Sequence, residues 1–197
     1  MLSRTDIQKL HHKYAPSQAV YDLVYTHCEI IWAIAKQCIQ NKPLAVDAKL
    51  VQAGCLLHDI GVYPLFTAAG KLRPGVAYIT HGTEGEAILQ AERLPEVICR
   101  FASHHTGVGL TKDDIITQQL PLPAADYLAE TEEEQLIMYA DKFHSKTSPP
   151  YFNSYEWYRQ DIARFGADKV VKFDALAKQF GVPDLTALSQ HYGYAIR

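Results

Sequence analysis

The sequence predicts an all-α fold built as a helical bundle, and three observations carry that prediction. Apolar residues recur at i, i+3, i+4 and i+7 through a long central stretch. Ser and Thr N-cap signals open segment after segment, with Pro and Gly between them. No run alternates polar and apolar residues over the length of a convincing strand. A chain of 197 residues suits one domain, and it can remove roughly 70% of its unfolded surface from water.

The first helix is expected from Ser3 to about Tyr14, ending at Ala15-Pro16-Ser17, where Ser17 caps the next. The second, about Gln18 to Gln40, has the clearest pattern. Val20, Leu23, Val24, His27, Ile30, Ile31, Ile34, Ala35 and Cys38 form its apolar stripe, with a histidine on it. Asn41-Lys42-Pro43 ends it, and a third helix runs from about Asp47 to Asp59. Val62 to Ile79 carries Pro64, Gly70, Pro74 and Gly75 and reads as a long irregular connection, the kind of segment that often serves as a lid. Lys71 and Arg73 lie in it.

Thr80 is expected to cap a helix from about His81 to Arg93, and Pro95 to start another, about Glu96 to His105. His104-His105-Thr106-Gly107 follows as a glycine-bearing loop. Thr111 caps a short helix over Lys112 to Gln119. Thr131 and Glu134 form a capping box for a helix from about Glu132 to Ser145, on which Asp141 and His144 continue an apolar face. After Ser148-Pro149-Pro150 three more helices are expected, about Ser154 to Phe165, Ala167 to Phe180 and Asp184 to Tyr192. This divides the chain into a main domain over residues 1–148 and a helical extension over 149–197 that packs on it.

Composition narrows the classes of function. Hydrophobic content of 48% and charged content of 21% describe an ordinary globule. A formal net charge of −3 gives no electrostatic basis for nucleic-acid binding. No apolar run reaches the roughly 20 residues of a membrane span, and the polar start lacks the apolar core of a secretory signal. The four cysteines have no C-x-x-C spacing and sit among apolar helical neighbours, as in a cytoplasmic protein.

Nine histidines carry the functional information. His58-Asp59 closes an apolar run, Gly54-Cys55-Leu56-Leu57, and Ile60-Gly61 follows. Burying two adjacent ionisable groups is costly unless a partner compensates. A divalent metal is one such partner; a solvated helix end with Gly61 as its terminator is the alternative. Asp141 on an apolar face raises the same question. His27, His58, Asp59, His81, His104, His105 and Asp141 thus form a dispersed set of nitrogen and oxygen ligands, as when several helices converge on one site. Without thiolates, the usual structural zinc sets are absent, and the set suits one or two ions of Fe, Mn, Mg, Co, Ni or Zn.

His27, then His58-Asp59-Ile60-Gly61, then Asp141, resembles the HD superfamily of metal-dependent phosphohydrolases over about residues 20–146. The resemblance implies a first ion on His27, His58, Asp59 and Asp141. Asp59 would bridge to a second ion held by His81 and by His105, with His104 the competing ligand. Asp59, His58 and Lys142 would be catalytic, and Lys142, Lys146, Arg73 and Thr106 would meet the phosphorylated substrate. The implied activity is hydrolysis of a small phosphorylated metabolite or nucleotide. A mixed-valence di-iron oxygenase of the same fold and a non-catalytic metal-stabilised binding domain are the alternatives. Gly61-Val62-Tyr63-Pro64 is misplaced for the Gly-Tyr-Pro loop of cyclic di-GMP phosphodiesterases, which argues against that substrate.

Overall fold

The computed structural model describes residues 2–197 and opens on a helix, Arg4–Tyr14 (α1), whose Ser3 and Asp6 form a capping box. Ser17 then accepts from the Val20 amide and starts the central helix, Gln18–Asn41 (α2). Val24, Ile30, Ile31, Ile34 and Ala35 on this helix are fully buried, so α2 is the post around which the others pack. His27 is buried on the same face.

Helix Ala48–Leu57 (α3) is capped by Asp47 and packs along α2. It ends at Leu57, two residues earlier than the sequence predicts. His58 is its C-cap, and Asp59 starts a 3₁₀ helix over Ile60–Leu65. The expected irregular connection is therefore ordered core in its first part, with Ile60, Val62, Tyr63 and Leu65 buried. Only the segment around the Phe66–Leu72 bridge is an exposed loop.

Helix His81–Ala91 (α4) starts directly at the histidine. Thr80 does not cap it: the 3₁₀ turn Tyr78–Thr80 leaves Thr80 with helical rather than extended backbone angles, and its hydroxyl donates back to the Ala77 carbonyl. Gly61 lets α4 approach; a Cβ there would lie 2.0 Å from the His81 carbonyl oxygen and 2.2 Å from the Gly85 nitrogen. Helices Glu96–Ser103 (α5), Lys112–Thr117 (α6) and Glu132–Asp141 (α7) follow, the last two opened by the Thr111/Asp114 and Thr131/Glu134 capping boxes.

Helix α7 stops at Asp141, four residues short of expectation. Lys142 and Phe143 donate to the Tyr139 and Ala140 carbonyls in tight turns, and the chain then extends. His144–Ser145 (β1) pairs antiparallel with Tyr151–Phe152 (β2), which pairs parallel with Ala195–Ile196 (β3). The sequence gives no sign of these strands, since two residues are too few to show alternation. Helices Tyr155–Ile162 (α8), Ala167–Phe180 (α9) and Thr186–Tyr192 (α10) complete the chain. Phe173 and Phe180 of α9 face Tyr139 of α7, which seats the C-terminal helices against the rest. The all-α prediction thus holds apart from this three-stranded ribbon. Among the described residues no helix is long and apolar enough to cross a membrane. All four cysteines are free and buried.

Candidate metal centre

Each site residue except His27 comes from the end of a helix. His58 and Asp59 follow the end of α3, His81 begins α4, His105 lies just past α5, and Asp141 ends α7. His27 comes from the interior of α2. Helix ends carry unpaired main-chain groups and point at the space between elements, so four of them meeting beside α2 make a polar pocket inside an apolar bundle.

Two groups form there. His27, His58, Asp59 and Asp141 each offer one ligand atom, all within 4.8 Å of one another, and Asp59, His81 and His105 do the same. Asp59 belongs to both. In the first group, His27 Nε2 lies 3.0 Å from Asp141 Oδ1, 3.1 Å from Asp59 Oδ2 and 3.2 Å from His58 Nε2. In the second, the Nε2 atoms of His81 and His105 are 3.0 Å apart, and Asp59 Oδ1 lies 3.5 Å and 3.7 Å from them.

The donor set fits a divalent ion in each group. His58, His81 and His105 place Nδ1 2.8, 2.8 and 3.1 Å from the main-chain carbonyls of Cys55, Tyr78 and Phe101. A carbonyl only accepts, so in each ring Nδ1 carries a proton, and in the neutral ring Nε2 presents a lone pair. Two such lone pairs face each other between His81 and His105. Asp59 Oδ1 beside them is buried without a hydrogen-bond partner among the described residues. A cation between these atoms satisfies all of them at once.

Charge and burial set the protonation of these candidate ligands. Burial opposes ionisation of Asp59, but Lys146 and His58 outweigh it and hold its pKa well below the usual range. Burial opposes the Asp141 carboxylate too, and Lys142 beside it holds it ionised. Burial, with His58 and His81 nearby, pushes His105 well down, and burial lowers His81. His58 is the exception: burial pulls its pKa down, but Asp59 more than reverses this and raises it.

A cleft of about 610 Å³ opens over these groups. Asp59, His81, His105 and Asp141 line it, together with Lys142, Lys146 and Thr106. Lys146 Nζ bonds Asp59 Oδ2 and lies 5.6 Å from the centre of the Tyr78 ring. Lys142 Nζ donates to the His105 carbonyl at 2.9 Å and to Asp141 Oδ2 at 2.7 Å. Tyr151, Asn153, Trp157 and Tyr158, all from the C-terminal extension, form part of its wall.

Two of the residues singled out from the sequence are placed elsewhere. His104 follows the last helical residue of α5, Ser103, whose hydroxyl bonds its Nδ1 at 2.6 Å, and its ring faces Tyr127, so it belongs to neither group. Arg73 is exposed and donates to the Pro64 carbonyl, outside the cleft. One residue joins that sequence reasoning passed over. His144 lies buried behind His27, Nδ1 to Nδ1 at 2.8 Å, and burial with His27 beside it pushes its pKa down to about 2. Its only signal in the sequence is its place three residues after Asp141 on the apolar face.

The HD domain family model matches residues 24–146. Over 129 residues, 66% of this chain, the sequence is 34% identical to a tRNA (cytidine(56)-2'-O)-methyltransferase of Picrophilus torridus, and this match spans 33% of that protein. It is 36% identical over 121 residues to an uncharacterised protein of Methanocaldococcus jannaschii, which covers 60% of this chain and 64% of that one. The chain thus matches only about a third of the methyltransferase. Among solved structures, the fold is similar to the HD domain of the Listeria monocytogenes phosphodiesterase PgpH, in a complex with cyclic di-AMP. The TM-score is 0.53 at 19% identity, over 91% of this chain and 89% of the other.

Proposed function

The chain belongs to the HD-domain family, and from that premise we propose that it is a metal-dependent phosphohydrolase of a small phosphorylated metabolite or nucleotide. The observation that carries the proposal is Asp59, one carboxylate shared by two ligand groups and lining a single cleft. That PgpH, whose HD domain has this fold, is a phosphodiesterase supports the reading. Buried free thiols accord with a cytoplasmic setting.

In this reading His27, His58, Asp59 and Asp141 hold one ion, and Asp59, His81 and His105 a second. Two bound divalent ions supply Lewis acidity toward a phosphoryl oxygen and an acidified water as nucleophile. The protein supplies the rest. Asp59 fixes the two groups relative to each other. Lys146, whose ammonium lies at the cleft beside Asp59, neutralises charge on the phosphoryl oxygens. Lys142 has its Nζ held by Asp141 and the His105 carbonyl, so its task is to tie one ligand of each ion together and keep Asp141 ionised. Thr106 offers a hydroxyl at the cleft lining, and Tyr151, Trp157 and Tyr158 offer aromatic surface to the organic part of the substrate.

The test is phosphate release from a panel of nucleotides and sugar phosphates by manganese-loaded and iron-loaded protein, under anaerobic conditions. Chelator-sensitive release with either metal is expected. Turnover that needs oxygen and fails with manganese would replace this reading with the di-iron oxygenase. Metal binding with no turnover on any phosphate ester would leave a metal-stabilised binding domain.

A further inference from the structure

We propose that His144 is a positioning residue for the metal ligand His27, and that the C-terminal extension holds it in place. The proposal rests on the reading of His27 as a ligand.

The reason lies in where His27 sits. The other three histidines orient their rings by giving the Nδ1 proton to a main-chain carbonyl, which helix ends and loops leave available. His27 is in the interior of α2, where each carbonyl already accepts from the amide four residues on. Its ring must be oriented by a side chain from another element. His144 Nδ1, 2.8 Å from His27 Nδ1, is that side chain.

The contact also fixes where the protons are. Two ring nitrogens at this distance share one proton, one donating and one accepting. When the His27 Nε2 lone pair goes to an ion, the His27 proton is on Nδ1 and donates to His144. His144 then carries its own proton on Nε2, and that atom is buried with no partner among the described residues.

The seat of His144 is made by the extension. Its ring packs against Phe152 and Tyr194, with centroids 5.1 and 5.8 Å away. Its backbone pairs with Phe152, which pairs in turn with Ile196. Residues 152, 194 and 196 all lie beyond the stretch matched by the HD model. A segment outside that stretch thus sets the orientation of one of its ligands.

The experiment compares His144→Phe, which keeps a ring but no acceptor, with His144→Asn, whose Oδ1 can accept from His27. Manganese and zinc affinities of both sites are measured on the full chain by chelator competition, and metal-free melting temperatures control for folding. His144→Phe is expected to weaken the site containing His27 by 10- to 100-fold, the range typical of lost outer hydrogen bonds to a ligand. The second site should be unchanged, and His144→Asn should recover most of the loss. Nitrogen-15 histidine spectra of the zinc-loaded wild type should show the His27 proton on Nδ1. His144→Phe with wild-type affinity, or His144→Asn as weak as His144→Phe, would overturn the role of His144 while leaving phosphate release by the wild type intact. A wild-type chain that binds no ion at His27 would overturn both readings.

Discussion

His81 and His105 bring their Nε2 atoms to 3.0 Å, although each ring has its Nδ1 proton engaged by a main-chain carbonyl. Two lone pairs at that distance repel, and the buried Asp59 Oδ1 beside them adds a third acceptor. The bundle holds them together through α4 and α5, which pack along each other.

His105→Ala is therefore expected to remove the second ion and keep the first, whereas His104→Ala keeps both. Metal analysis after dialysis reads this directly. Thermal stability reads it independently, because an ion at 100 times its dissociation constant stabilises the fold by about 2.7 kcal/mol. His105→Ala should lose one such increment. Loss of an ion in His104→Ala instead would reassign the ligand.

Asp59 should behave differently, since it serves both groups. Asp59→Asn is expected to lose both ions, and it leaves Lys146 without its buried counter-charge, at a cost of about 3 kcal/mol. Lys146→Gln should do the opposite to metal. Its ammonium competes with cations for Asp59, so its removal leaves affinity equal or higher while phosphate release falls about 100-fold. Parallel loss of metal and activity in Lys146→Gln would show that this lysine only supports the fold.

Gly61→Ala tests the approach of α4. The added methyl would meet the main chain of His81 and Gly85, which cannot rotate away. A destabilisation of about 2–3 kcal/mol is expected. Because α4 carries His81, the second ion should weaken more than the first. Unchanged melting temperature and unchanged affinities would contradict the close contact.

His11, a buried residue outside the two ligand groups, predicts an acid sensitivity of the fold. It is fully buried, 2.6 Å from both the Tyr63 hydroxyl and the Leu56 carbonyl, and burial pushes its pKa from 6.5 down to about 4. The unfolded chain takes up this proton near pH 6.5 and the folded chain only near 4. Stability is thus intact above pH 6.5 and declines as pH falls through that window, by about 3 kcal/mol in all. His11→Gln should show a shallower decline in melting temperature between pH 7 and 4.5. Equal slopes would assign the sensitivity to other groups.

The sequence by itself determined which segments are helical and which residue types could serve as ligands. Helical periodicity, capping residues and the His58-Asp59-Ile60-Gly61 stretch depend on neighbours within a few positions, so they can be read without the fold. Even so, α3 and α7 end two and four residues early, because the chain passes into a 3₁₀ helix after His58-Asp59 and into tight turns after Asp141. Tertiary structure decided the rest. Whether His104 or His105 enters the centre depends on which of two adjacent rings points inward past the end of α5, and spacing alone does not separate them. Arg73 and Lys146 look alike as cations, yet only Lys146 reaches Asp59, from 87 positions along the chain. His144 acquires its place through a contact 117 positions away and through strands two residues long. Such pairings leave no periodic trace, because the partners are chosen by packing in three dimensions.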